Sequence, residues 1–113
     1  MIQLDIETIR NLCIKGNMRW TNHIVARLLQ RNISTDNVVY TLLNGEIIEI
    51  YEDDHPYPSC LVLGITNENK HLHVVCSCTD TELWLITAYY PDTKDWYDDF
   101  KTRKDDNNGM SDV

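Results

Sequence analysis

Val38-Val39-Tyr40-Thr41-Leu42-Leu43-Asn44-Gly45-Glu46-Ile47-Ile48-Glu49-Ile50-Tyr51 is where the chain changes its hydrophobic period. Val38, Val39, Leu42 and Leu43 recur at i, i+1, i+4 and i+5, the spacing of one helix face, and Asn44-Gly45 is a helix-ending pair. From Glu46 onward, β-branched and aromatic runs take over. Helices precede this junction and strands follow it.

Upstream, Ile2, Ile6, Ile9 and Cys13 mark one face of a first helix that Lys15-Gly16-Asn17 stops. Thr21 caps a second helix, with Ile24, Val25, Leu28 and Leu29 facing inward and an end near Asn32. Ser34, Thr35 or Asp36 starts the third. Downstream, strands are expected over 46–51, 60–66, 71–78 and 83–90. The four-residue separations 67–70 and 79–82 suit hairpins, hence an antiparallel meander. The acidic stretch 52–59 is a longer turn, and Trp96 with Phe100, four apart, predicts a short C-terminal helix. The expected fold is α+β: three short N-terminal helices packed on a four-stranded antiparallel sheet, one domain over residues 1–104, then a polar tail over 105–113.

The 113 residues carry 10 Lys plus Arg against 18 Asp plus Glu, a net charge of -8 that argues against tight non-specific binding to polyanions, including DNA on its own. The imbalance is local. Residues 1–43 hold five basic and three acidic residues, whereas residues 44–100 hold two and twelve. The longest apolar run, Cys60-Leu61-Val62-Leu63, is far too short to span a bilayer, and the opening MIQLDIETIR lacks a signal peptide's basic-then-apolar order. A cytoplasmic protein is expected, with Cys13, Cys60, Cys76 and Cys78 reduced and mostly buried.

His23, Arg27 and Arg31, at i, i+4 and i+8, fall within an arc of about 80° opposite the apolar face of the second helix. Arginine holds phosphate bidentately and imidazole moves protons near neutral pH, so this stripe suits phosphate handling, against the bland reading of a solvated helix face. On the third strand, His71, His73, Val75 and Ser77 share one face, and Leu72, Val74, Cys76 and Cys78 the other. This parity separates His-x-His from Cys-x-Cys and disfavours zinc, so no metal or other cofactor is expected. Whether Thr87 and Tyr89 join the face of His73 depends on hairpin register: a four-residue loop would pair His73 with Ala88 instead.

The blocks Arg19-Trp20-Thr21-Asn22-His23, Arg27, Arg31-Asn32-Ile33-Ser34, Asn44-Gly45-Glu46-Ile47-Ile48, Tyr57-Pro58-Ser59-Cys60-Leu61-Val62-Leu63-Gly64, Leu72-His73-Val74-Val75 and Ile86-Thr87-Ala88-Tyr89 resemble the small bacterial domain-of-unknown-function family numbered 4258. The resemblance covers about residues 17–104 and implies a place among barnase-like and RelE-like folds, a group containing metal-independent ribonucleases and toxins of toxin-antitoxin pairs. It implies a toxin encoded beside a small antitoxin with a zinc-finger segment, and recurring polar positions at His23, Arg27, Arg31, His73, Thr87 and Tyr89. Asn32 stands where the family pattern has glycine.

The expected function is therefore a metal-independent endoribonuclease that cleaves single-stranded RNA by 2′-hydroxyl attack. His23, His73 and Arg27 would be catalytic, and Arg31, Thr87 and Tyr89 would bind substrate. The alternative is a non-catalytic interaction module of the same fold, whose acidic surface from Glu49 to Asp54 meets a basic partner. An enzyme on a small metabolite ranks last, since no nucleotide-binding glycine loop, GxSxG elbow or HExxH pattern occurs.

Overall fold

The computed structural model describes residues 4–104. Three helices, α1 (Ile6–Ile14), α2 (Asn22–Arg31) and α3 (Thr35–Asn44), precede the strand-rich half as expected. Each begins at a side chain that accepts from a backbone N–H three residues on: Asp5 from Thr8, Thr21 from Ile24, and Ser34 from Asn37. Of the three residues considered for starting α3, Ser34 is the cap.

The helix ends differ. After α1, Gly16 adopts φ +75 and the Gly16 and Asn17 N–H groups bond back to Cys13 and Leu12. After α2, Asn32 takes the left-handed conformation at φ 56, and Ile33 N–H reaches Leu28. Asparagine tolerates this region better than other non-glycine residues, which suits Asn32 to the position. Gly45 ends α3 in an extended conformation instead. Its glycine is required by proximity: a Cβ there would lie 2.5 Å from the carbonyl oxygens of both Thr41 and Leu63.

The sheet has five strands, not four, and is mixed. In chain order they are β1 (Met18–Trp20), β2 (Glu46–Tyr51), β3 (Ser59–Ile65), β4 (His71–Cys78) and β5 (Leu83–Tyr89), arranged β1-β5-β4-β3-β2. β2 through β5 form the expected antiparallel meander. The addition is β1, which pairs in parallel with β5 through Met18 with Leu83, Arg19 with Trp84 and Trp20 with Leu85. Three residues are too few to display strand alternation, so nothing in their pattern announces this edge.

The expected C-terminal helix does not form. The single helical bond from Trp96 N–H to Asp92 O is not continued, because Tyr97 N–H turns to Thr102 O and Trp96 bridges Arg103. Asp92 and Asp99 side chains hold the local N–H groups of Lys94, Lys101 and Thr102, the local bonding by which aspartate competes with helix. Residues 91–104 make an irregular strap. The expected tail over 105–113 lies outside the described residues.

The helices close one face of the sheet over Cys60, Val62, Leu72, Val74, Cys76, Cys78, Leu83, Leu85 and Ala88, which join Ile9, Leu28, Val38 and Leu42 in one core. All four cysteines are free and buried there. On α2 only Ile24 and Leu28 of the expected inward set are buried; Val25 and Leu29 are exposed, Leu29 by 80%. The α2 contact is narrower than its sequence pattern suggests, because the helix sits at the sheet margin along β5. No helix among the described residues is long and apolar enough to cross a membrane.

Candidate functional site

The β4–β5 register settles which side chains meet. The turn over 79–82 pairs Cys78 with Leu83, Ser77 with Trp84 and Cys76 with Leu85, as a four-residue loop dictates. The register then shifts at Ile86, so that Val75 pairs with Thr87 and His73 with Tyr89. This β-bulge, and not the loop length, brings Thr87 and Tyr89 onto the face of His73, opposite the helices.

That face is covered by the strap, and His73 lies beneath it with no exposure. Its Nε2 is 2.7 Å from the Phe100 carbonyl oxygen, and its Nδ1 is 3.3 Å from the Tyr89 hydroxyl. A carbonyl only accepts, so Nε2 carries the proton, and in the neutral ring Nδ1 accepts from Tyr89. The neutral ring is the favoured form: burial lowers the His73 pKa, against the opposing pulls of the Phe100 carbonyl and the Glu49 charge. Trp96 stands edge-on to the imidazole, ring centres 4.6 Å apart, and is itself 3% exposed. Burial also raises the Tyr89 pKa, which keeps the phenol protonated.

Beside this pair lies a cluster that the sequence pattern did not reveal. Glu49 on β2 accepts from the Tyr51 hydroxyl at 2.5 Å and from Arg103 of the strap at 2.8 and 3.2 Å. Burial would raise the Glu49 carboxyl, but the bonds from Arg103 and Tyr51 outweigh it and hold it below the ordinary glutamate value. The Arg103 guanidinium also lies over the Trp96 ring at 4.5 Å. Glu49 and Arg103 are 54 residues apart, and the only sequence signal was the acidic bias of the second half.

The α2 stripe approaches from the sheet margin. Thr21 Oγ1 donates to Leu85 O at 3.1 Å, and Arg31 donates to Ala88 O at 2.8 Å, so the helix runs alongside the C-terminal half of β5. The same Arg31 nitrogen is 3.4 Å from Thr87 Oγ1. Arg31 is exposed, Arg27 half-buried and bonded to Gln30, and His23 exposed. Of the six expected residues, the structure joins Arg31 to Thr87 and Tyr89 to His73, two steps apart on β5. His23 and Arg27 stay on the outer side of α2. The wider depression of about 740 Å3 between the end of α3, the start of β2 and the β3–β4 turn includes none of the six.

Cys76 and Cys78 point into the helix-side core while His73 points away, and among the described residues no three His, Cys, Asp or Glu side chains converge as a metal site. In chemical terms the β5 margin offers a permanent cation, two hydroxyls and an imidazole reached through one of them.

A protein-family model described as "Domain of unknown function (DUF4258)" matches residues 20–90. The matched span contains all six expected residues and ends one residue beyond β5. No curated protein and no solved structure gives a significant match.

Proposed function

The chain belongs to the DUF4258 family, and from that premise we propose that it is a toxin-like endoribonuclease cleaving single-stranded RNA at the β5 margin without a metal. One observation carries the reading: Arg31 is held at Thr87 and Ala88, two residues from a Tyr89 hydroxyl that donates to a buried, neutral His73. Guanidinium nitrogens beyond the one bonded to Ala88 suit a phosphate oxygen. Tyr89 offers its oxygen lone pairs to a second donor while its own proton points at His73.

In the proposed reaction the ribose 2′-hydroxyl gives its proton to the Tyr89 oxygen as the Tyr89 proton passes to His73 Nδ1. The 2′-oxygen bonds to phosphorus, the bond from phosphorus to the 5′-oxygen breaks, and water protonates the leaving oxygen, the hydroxide so formed taking up the proton held on the Tyr89–His73 pair. Arg31 stabilises the charge developing on the non-bridging oxygens. Products are a 2′,3′-cyclic phosphate and a 5′-hydroxyl. His73 acts through Tyr89, since it is enclosed, and the nearby Glu49 charge favours the imidazolium formed in this step.

The test is mixed-sequence single-stranded RNA incubated with the protein in EDTA, reading termini as well as cleavage. Cyclic phosphate ends from the parent, with Tyr89→Phe and His73→Ala each slower by about 10²- to 10⁴-fold, is the expected result. No cleavage by a folded parent overturns it and favours a non-catalytic module of the same fold. The exposed carboxylates of Glu52 and Asp53, without ion pairs among the described residues, support that second reading, in which a basic partner such as an antitoxin docks on the acidic turn. Growth arrest on overproduction, relieved by Tyr89→Phe, separates the two.

A further inference from the structure

The strap covers only part of the sheet face opposite the helices. Past its edge, the loop over 52–58 folds across the same face and leaves a cleft of about 310 Å3 lined by Asp54, Pro56, Tyr57, Ser59, Trp84 and Ile86, among others. That volume is at the lower end for small-ligand pockets, roughly 300–1,000 Å3. Two bonds fix the loop to the sheet: Ser59 Oγ donates to Asp54, and Ser77 Oγ donates to Pro58 O at 2.5 Å. The cleft is therefore built by the fold.

Its walls are ring-rich and partly open. Trp84 is 38% exposed and Tyr57 39%, two aromatic surfaces left partly uncovered in the same cleft. Trp84 lies across from Arg19, whose guanidinium is 5.6 Å from the indole centre and is anchored to Glu82 at 2.9 Å. Ile86 directly precedes Thr87 on β5 and Trp84 lies three residues before it, so the cleft and the Arg31–Thr87 pair follow one another along one strand.

We infer that this cleft is a nucleobase subsite, holding one base of the bound RNA against Trp84 while its phosphate lies toward Arg31 and Thr87. The inference rests on the RNA-cleaving reading above and adds to it where the base goes. Charge sets the polarity of the arrangement. Glu52 and Asp53 at the loop repel a phosphate, whereas Arg19 and Arg31 on the β1 and α2 side attract one, so only the uncharged base enters beneath the loop. Asp54 is oriented by Ser59 and supplies an acceptor at the rim, which favours a base with an amino edge, cytosine over uracil.

The experiment measures binding of fluorescent 2′-O-methyl oligo-C and oligo-U of about five nucleotides, which cannot be cleaved, to the full chain across a salt series. The parent should bind oligo-C more tightly than oligo-U. Trp84→Ala should weaken oligo-C by about 5- to 150-fold with the salt dependence unchanged, and Trp84→Phe should restore most of the affinity. Arg31→Ala should instead flatten the log–log salt slope by about 0.7, the signature of one lost phosphate contact. If Arg31→Ala weakens binding and Trp84→Ala does not, the subsite is overturned while the RNA reading stands. If the parent binds neither oligonucleotide, both fall. Equal loss in Trp84→Phe and Trp84→Ala also overturns the subsite, because stacking would not explain it.

Discussion

The two faces of the sheet are closed in different ways. On the helix side, three amphipathic helices bury aliphatic side chains and thiols, with Leu42, Val62, Leu72 and Val74 fully enclosed. Stability there scales with apolar area and tolerates conservative repacking. On the other side, an irregular strap buries an imidazole and an indole and half-covers a carboxylate, and each polar atom must find its partner. Such burial adds little net stability and is costly when half-made. The difference teaches where to look for chemistry: one face is sufficient to explain the fold, and the polar groups of the other are not needed for it.

Mutations can break or sharpen that division. Leu72→Ala, on the helix side, should have the largest effect on stability, a loss of about 2–5 kcal/mol by urea unfolding, while cleavage per folded molecule is retained. A comparable loss of activity in the folded fraction would show that the faces are not separable. His73→Phe should cost less, about 1–3 kcal/mol, since it leaves the Tyr89 hydroxyl and Phe100 carbonyl without their partner, yet it should abolish the proposed proton relay. Arg103→Ala should cost about 0.2–1 kcal/mol, because its ion pair with Glu49 is half-exposed on the arginine side.

A pH series provides a subtler test of the same contrast. His73 has its pKa lowered in the folded state from an ordinary value of 6.5, so the unfolded chain binds the proton first. Its contribution is fully present above about pH 6.5 and is lost as pH falls through the lowered folded value. Thermal melts should show the parent losing stability more steeply than His73→Phe between about pH 7.5 and about pH 5.5, and parallel curves would contradict the enclosed neutral ring.

Legibility in the sequence follows the same partition. The helix-side core shows itself through periods of 3.6 and 2, which is why Val38, Leu42, Leu72 and Val74 read correctly. β1 had too little length to carry a period, and the Trp96 and Phe100 spacing imitates a helix that local aspartate bonding prevents. The α2 stripe was visible as an arc of charge. Which residues it meets was not, because that depends on a bulge at Ile86, and the pairing of Glu49 with Arg103 across 54 residues was equally hidden. Bulges and long-range ion pairs leave no periodic trace.

At the level of the gene, the Ile86 bulge says which one-codon losses the strand survives. Deleting codon 86 removes the residue left outside the β4–β5 pairing; Cys76 with Leu85 and Val75 with Thr87 then become adjacent pairs, and His73 still meets Tyr89. Deleting codon 74 across the strand has no spare residue to absorb it, and inverts the sidedness of one end of β4 relative to its neighbours. On β5 the fold thus carries a position where the reading of the strand is redundant, beside the side chains whose placement depends on it.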